Sequence, residues 1–275
     1  MKKYIIALLF AGSAGALKAQ DHKLEKIWET DTVIRVPESV LADTKNKVLY
    51  VSEIDGSPDG KDGKGQIAKL DLQGKIINQN FITGLNAPKG MAKFGNELFI
   101  SDCDEVVVAD LKTGKILQKI PVPGAGFLND ADVDSKGNVY VTDSKTGKVH
   151  LIKNRKESTF VENIKGINGV RAIGNDVYVL GGPVLYKIGA DKKPVKVAGD
   201  LASGGDGLEP LKNGDFIVSC WPGLIYYISA AGKIQLLHDS REQKINTADI
   251  GMNKEEGIIY VPTFFHKTVA AYRVK

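Results

Sequence analysis

Residues 127–154 read F-L-N-D-A-D-V-D-S-K-G-N-V-Y-V-T-D-S-K-T-G-K-V-H-L-I-K-N. D-S-K-G-N (134–138) is a turn cluster. V-Y-V-T (139–142) is a short run of β-branched and aromatic residues, as strands prefer. D-S-K-T-G (143–147) turns the chain again, and Val149 opens the next strand.

The rest of the chain repeats this unit. A polar residue, a small residue, an apolar pair, a turn and a strand recur from Glu38 (E-S-V-L-A…V-L-Y-V-S), Lys89 (K-G-M-A-K-F…L-F-I-S-D) and Asn129. They recur again from Asn168 (N-G-V-R-A-I…V-Y-V-L), Asp206 (D-G-L-E-P-L…F-I-V-S-C) and Ala248 (A-D-I-G-M…I-I-Y-V-P). The spacings are 51, 40, 39, 38 and 42 residues. A period near 40 with several strands per copy predicts an all-β, six-bladed β-propeller, one blade per copy. Two stacked sandwiches would share the turn density but not the period. The first spacing is long because residues 52–65 insert S-E-I-D-G-S-P-D-G-K-D-G-K-G, expected as a solvated rim loop. The sixth copy stops one strand short of a blade, and K-I-W-E-T (26–30) is placed to supply that strand and close the ring.

Residues 1–19 carry Lys2 and Lys3, then an apolar run from Tyr4 to Phe10, then small residues up to Ala19. This is the pattern of a secretory signal peptide, with residues 20–275 as the single mature propeller domain, periplasmic or secreted. No later stretch is long and apolar enough to span a membrane. The full chain has 37 basic and 33 acidic residues; without Lys2, Lys3 and Lys18 the balance is 34 to 33. Near neutrality removes the electrostatic case for nucleic-acid binding. Cys103 and Cys220 follow equivalent strands of blades on opposite sides of the ring, too far apart for a disulfide. We expect a monomer.

In a propeller the innermost strands line a central channel. The first residues of the six units, Glu38, Lys89, Asn129, Asn168, Asp206 and Ala248, therefore sit at one height near the axis. Two carboxylates and two carboxamides converging there are costly to desolvate without a partner. Hydrogen bonds among themselves and to trapped water would serve; a hard divalent cation serves better. Their oxygens suit Ca²⁺ foremost, with Mg²⁺ or Mn²⁺ next and Zn²⁺ a poorer match. Trp221 and the pair Phe264-Phe265 fall in loops at the channel mouth, where they form a pocket rim or pack into the core.

On these residues the chain resembles the gluconolactonase and regucalcin family (senescence marker proteins), and more loosely the NHL-repeat propellers. The resemblance rests on Glu38 in P-E-S-V, Asn129 in N-D-A-D-V-D, Asn168 in N-G-V and Asp206 in D-G-L. It implies Glu38, Asn168 and Asp206 as ligands of a divalent metal, and Asp206 also as general base in lactone hydrolysis. Asn129 would assist with water or substrate, beside Lys89. Sugar-lactone members carry an arginine two residues before the N-D asparagine. Phe127 stands there in this chain and implies an apolar wall.

Other motifs are weak. Asp130-x-Asp132-x-Asp134 lacks the glycine and closing glutamate of an EF-hand and lies on strands. Asp55, Asp59 and Asp62 fall in the solvated inserted loop. His22, His150, His238 and His266 show no ligand spacing and are expected at the surface or rim. No nucleophile elbow, phosphate loop or dinucleotide fingerprint occurs. The leading expectation is a secreted metal-dependent hydrolase acting on a small-molecule lactone or ester. The alternatives are a non-catalytic binding propeller of the cell envelope and, more distantly, a condensing enzyme resembling strictosidine synthase. The leader reading has a direct check: intact-mass analysis of the native protein should place its first residue near position 20, and retained Met1 would refute it.

Overall fold

The run Val48–Glu53 is buried at every position rather than at alternate ones. Both faces of its sheet are therefore covered. Leu49 and Val51 face a cluster with Tyr260 and Val269, while Val48 and Tyr50 face another with Leu98 and Ile100. The same holds around the molecule: six apolar clusters lie between neighbouring sheets. Each fully buried aliphatic side chain in them contributes about 1.5–3 kcal/mol.

The computed structural model describes residues 21–275, so the leader expected over residues 1–19 lies outside the described residues. Six four-stranded antiparallel sheets form a six-bladed propeller. Blade 1 runs outward through Pro37–Asp43, Val48–Glu53, Gly65–Asp71 and Ile76–Leu85. The next four inner strands are Pro88–Phe94, Leu128–Val133, Ile167–Ile173 and Leu208–Pro210. Blade 6 is Gly251–Asn253, Ile258–Pro262 and Val269–Val274, completed by Leu24–Glu29. Among the described residues no helix is long and apolar enough to cross a membrane.

Closure is as the repeat predicts. Leu24 pairs with Val274 and Glu29 with Ala270, and Trp28 packs against Tyr260 at 5.8 Å. The thiols of Cys103 and Cys220 are both free and buried, in separate clusters. His150 departs from expectation. It is buried, with Nδ1 2.7 Å from Oε1 of Glu157 and Nε2 3.7 Å from Oδ2 of Asp143. Its side chain points between blades instead of outward, because the strand alternation puts it on an inward face.

Near the axis the inner strands approach so closely that side chains become obstacles. A Cβ on Gly90 would lie 2.4 Å from the Asp130 Cα, and one on Gly251 2.2 Å from the Val40 carbonyl oxygen. The ladders also break there. Register shifts between Pro37 and Ser39, Pro88 and Met91, Leu128 and Ala131, and Ile167 and Val170 leave Glu38, Lys89, Asn129 and Asn168 in bulges. A bulge re-aims its side chains, here into the channel. Hydroxyls from the second strands repair the broken ladder. Ser52 Oγ accepts from Ser39 N at 2.9 Å, Thr142 Oγ1 from Asp130 N at 3.0 Å and Ser219 Oγ from Gly207 N at 2.8 Å.

Deleting residues 24–30 strips the outer strand from blade 6 and uncovers Tyr260 and Ala271. Losing the Trp28 contact alone costs about 3–5 kcal/mol. For a domain of this size the melting temperature should fall by about 10 °C or more. An unchanged value in a thermal melt would show that the strand does not close the ring.

Candidate functional site

The six unit-first residues separate into five that face the channel mouth and one that does not. Glu38, Lys89, Asn129, Asn168 and Asp206 line one cavity of about 380 Å³, together with Phe127, Trp221, Phe264, Phe265, Ile54 and Pro58. Ala248 is fully buried against Ile54, Ala87, Cys103 and Phe264 and offers no polar atom. Pro58 of the inserted segment lines the cavity, while most of residues 55–64 stand exposed at the rim, as expected of a solvated loop. Lys61 of that segment reaches Asp104 at 2.6 Å. Its three aspartates do not form a site: Asp55 pairs with Arg35, Asp59 accepts from Ser57 and Asp62 lies 3.4 Å from Lys64.

The floor of the cavity gathers oxygen acceptors, several of which have no protein donor. The Asn168 amide donates Nδ2 to Asp206 Oδ1 at 2.7 Å, and Asn129 donates Nδ2 to Ser144 Oγ at 3.1 Å. Both amide oxygens are thereby turned away from those partners, and both are buried and unpaired. Glu38 Oε2 is unpaired as well. Asp130 adds two more unpaired oxygens, and one oxygen each of Glu38, Asp130 and Asp206 lie within 4.8 Å of one another. Buried acceptors without donors cost about 1–3 kcal/mol each. Oxygen atoms converging in this way fit a hard cation.

Electrostatics agrees. Burial, then the charges of Asp206 and Asp249, pushes the Glu38 carboxyl well above the usual range. Burial, then Asp249, pushes Asp206 to about 8, and burial pushes Asp249 to about 6 against the pull of Arg171. These groups cannot all ionise at neutral pH without a compensating positive charge.

Lys89 is the one cation among the cavity-lining residues. Its Nζ donates to the Ala87 carbonyl at 3.0 Å and sits 4.3 Å from the centre of the Phe127 ring. Burial lowers its pKa while Glu38 opposes that shift. Phe127 is itself held by its backbone. Asp143 accepts from Gly126 N at 2.8 Å and Phe127 N at 3.0 Å, anchoring the segment that enters the third inner strand. Opposite stands an edge-to-face aromatic group. Trp221 is 5.6 Å from Phe264 and 6.2 Å from Phe265, and the two phenyl rings are 4.7 Å apart. Trp221 and Phe265 are both exposed at the rim, so the pocket offers apolar contact over a charged floor.

Every residue singled out from the sequence for this site, Glu38, Lys89, Phe127, Asn129, Asn168, Asp206 and Trp221, meets at the one cavity. Two residues of the same channel escaped that reading: Asp130 and Asp249. A signal for them existed. The second positions of the six units are Ser39, Gly90, Asp130, Gly169, Gly207 and Asp249, so acids stand at two places where the close approach of strands otherwise selects small residues. Farther down, Arg171 Nη2 donates to Glu209 Oε1 at 3.0 Å beside Asp132.

No protein-family model and no curated protein matches the chain. Its fold is shared with solved structures. A streptogramin B lyase superposes with a TM-score of 0.68 at 12% identity, covering 92% of this chain and 98% of that one. A catalytically inactive histidine-to-alanine variant of virginiamycin B lyase from Staphylococcus aureus, with quinupristin, superposes with a TM-score of 0.64 at 12% identity, covering 92% and 99%. At that identity the likeness is one of fold: this chain is a six-bladed β-propeller similar in architecture to those lyases.

Proposed function

We propose that the protein is a metal-dependent hydrolase of lactone or ester type, resembling the gluconolactonases in its acidic floor and differing from them in its apolar wall. The observation that carries this reading is the convergence of unpaired oxygens from Glu38, Asn129, Asp130 and Asn168 beneath an aromatic pocket. Glu38, Asn168 and Asp206 would hold the cation, Ca²⁺ foremost, with Asn129 beside them. Bound there, a divalent cation polarises a substrate carbonyl and lowers the pKa of water. Asp206 receives the proton of the attacking water. Asn168 engages its Oδ1, which leaves the other carboxylate oxygen for that proton. Lys89 has two ammonium protons beyond the one given to Ala87, and they are placed to meet charge developing on the carbonyl oxygen. Phe127, Trp221, Phe264 and Phe265 bind the apolar body of the substrate and exclude water, which strengthens every charge interaction at the floor.

The fold neighbours suggest a lyase as a second reading. One of them is described as inactivated by loss of a histidine, and no histidine lines the cavity of this chain. The hydrolase reading is therefore preferred.

Four outcomes are expected in a hydrolysis assay across a lactone and ester panel, with metal content measured in parallel. Chelation abolishes activity and a divalent cation restores it. Asp206→Asn lowers the rate by about 10²–10⁴-fold, because an amide ligates weakly and accepts no proton. Glu38→Gln weakens metal affinity first and the rate in consequence. Apolar lactones are preferred over sugar lactones, and Phe127→Arg narrows that preference. A metal-loaded wild type inactive on every member of the panel would put a binding propeller in place of the enzyme.

A pH dependence accompanies the site. Asp249 and Asp206 are raised in the folded protein to about 6 and about 8, from about 4 when unfolded. The metal-free fold therefore binds protons more tightly than the unfolded chain. Stability is full below about pH 4 for these groups and is lost as pH rises through 6 to 8. In thermal melts with chelator, the melting temperature should drop between pH 5 and pH 8, the drop should shrink in Asp206→Asn, and calcium should reverse it. Equal melting temperatures at both pH values would contradict the clustered carboxylates.

A further inference from the structure

The segment that brings Phe127 to the cavity is held from behind by blade 3. Asp143 ends the second strand of that blade, Val139–Asp143, and accepts the Gly126 and Phe127 N–H groups at 2.8 and 3.0 Å. Ser144, next to it, donates its N–H to the Phe127 carbonyl at 3.0 Å, and its Oγ accepts from the Asn129 amide at 3.1 Å. Two residues thus fix one wall of the cavity and one of its polar side chains. Behind Asp143 lies His150, on the third strand, Lys148–Lys153. It is 2% exposed. Its Nδ1 is 2.7 Å from Oε1 of Glu157 on the outer strand, and its Nε2, 3.7 Å from Asp143 Oδ2, has no hydrogen-bond partner.

Packing does not call for a histidine there. His150 pairs in register with Val141, and the equivalent pair in blade 2 is Val107 with Ile100. Asp102 ends that strand as Asp143 ends its own. It accepts the Asn86 and Ala87 N–H groups at 2.9 and 2.7 Å with no histidine behind it. The two carboxyls nevertheless differ. Burial raises the Asp102 carboxyl above the ordinary range. Burial opposes ionisation of Asp143 too, but the nearby imidazole, followed by the Gly126 N–H, outweighs it and holds that carboxyl well below the ordinary range. Burial likewise disfavours charge on His150, and Asp143 and then Glu157 outweigh it, raising the imidazole above its usual value. On the same face of its own strand the charged neighbour is Lys148, and the blade alongside presents Val106, Val108, Ile120 and Val122.

The ring therefore sits between two carboxylates, and only imidazolium has a proton for each. Neutral imidazole that donates Nδ1–H to Glu157 turns the Nε2 lone pair on Asp143, and the other tautomer turns a lone pair on Glu157. We propose that His150 is a positioning residue for the aromatic cavity: as imidazolium, shared between Glu157 and Asp143, it locks Asp143 and Ser144 and so fixes Phe127 and Asn129. The inference rests on the reading of that cavity as the substrate site, but not on hydrolysis itself. Loss of a ring proton leaves a buried carboxylate facing an acceptor, and the segment from Gly126 to Asn129 loosens. The hold is complete below about pH 6.5, the ordinary histidine value, and is lost as pH rises through the higher value of the folded protein.

Amide hydrogen exchange at Gly126 and Phe127 reads this hold directly. It is followed in the full mature protein with calcium present, near pH 6 and near pH 9, and corrected for intrinsic exchange rates. In wild type, protection at these two amides should fall about tenfold or more from the lower pH to the higher, while Asn86 and Ala87, capped by Asp102, keep theirs. His150→Gln should flatten the profile at the lower level. In the lactone assay it should raise KM for apolar members severalfold and leave kcat within about twofold. Should that variant fail to fold, His150→Val, which copies blade 2, takes its place and should also show no fall. Equal protection at both pH values in wild type, an equal fall at Asn86 and Ala87, a fall that persists in the variant, or an active variant with unchanged KM overturns the proposal. A wild type that shows the expected fall but hydrolyses nothing on the panel loses the hydrolase reading and keeps His150 as the residue that positions the cavity wall.

Discussion

Six inner strands must converge on one axis, and they converge closely enough to touch backbone to backbone. That contact governs the rest of the molecule. It forbids a Cβ at Gly90 and Gly251, where the neighbouring strand lies within about 2.4 Å of the place a Cβ would take. It also breaks the hydrogen-bonded ladder at the top of the inner strands, because a strand that bends toward the axis cannot keep its register with the strand behind it. Ser52, Thr142 and Ser219 stand at the same point of their blades and satisfy the freed backbone groups. The bulges aim one side chain from each of the first four blades into the channel. The site follows from how a ring of sheets closes.

The polar floor is the energetic counterpart of that geometry. Burial and the neighbouring carboxylates raise the pKa values of Glu38 and Asp206, and the carboxylates and carboxamides together leave acceptors without donors. A buried charge of this kind is tolerated only when something of opposite sign answers it. Lys89 answers part of it from one side, steadied over the Phe127 ring. Arg171 answers part from below while engaged with Glu209. The remainder is the demand that a cation meets. Above the floor the aromatic wall lowers the local dielectric, so the groups that would bind the ion also sit where their charges act most strongly on a ligand.

The blades supply rigidity. Both faces of every sheet are buried against neighbours, and the N-terminal strand Leu24–Glu29 pairs with the C-terminal strand Val269–Val274. Each blade thereby has four strands, and the cavity residues, drawn from all six blades, are held by one continuous ring of packing. The inserted segment is the exception to the repeat, and it contributes to the site through Pro58.

Much of this was legible from sequence alone, because a repeat turns a three-dimensional question into a one-dimensional register. The period near 40 residues set the number of blades, the incomplete sixth copy pointed to closure by the first strand, and equal register placed Glu38, Lys89, Asn129, Asn168 and Asp206 at one height. The aromatic rim was readable in the same way, from Trp221 and Phe264-Phe265 following equivalent strands. Only the tertiary structure decided which second-position residues join the channel. Asp130 and Asp249 stand next to the unit-first residues in a pattern otherwise made of glycine and serine, and their direction depends on bulges that no local propensity encodes. It alone buried His150 between Asp143 and Glu157, and brought Arg171 against Glu209 from the following blade. Register along a strand is a local property carried by alternation and turns; which side chains meet across an axis depends on strands some 40 to 200 residues apart, and that is settled only when the ring closes.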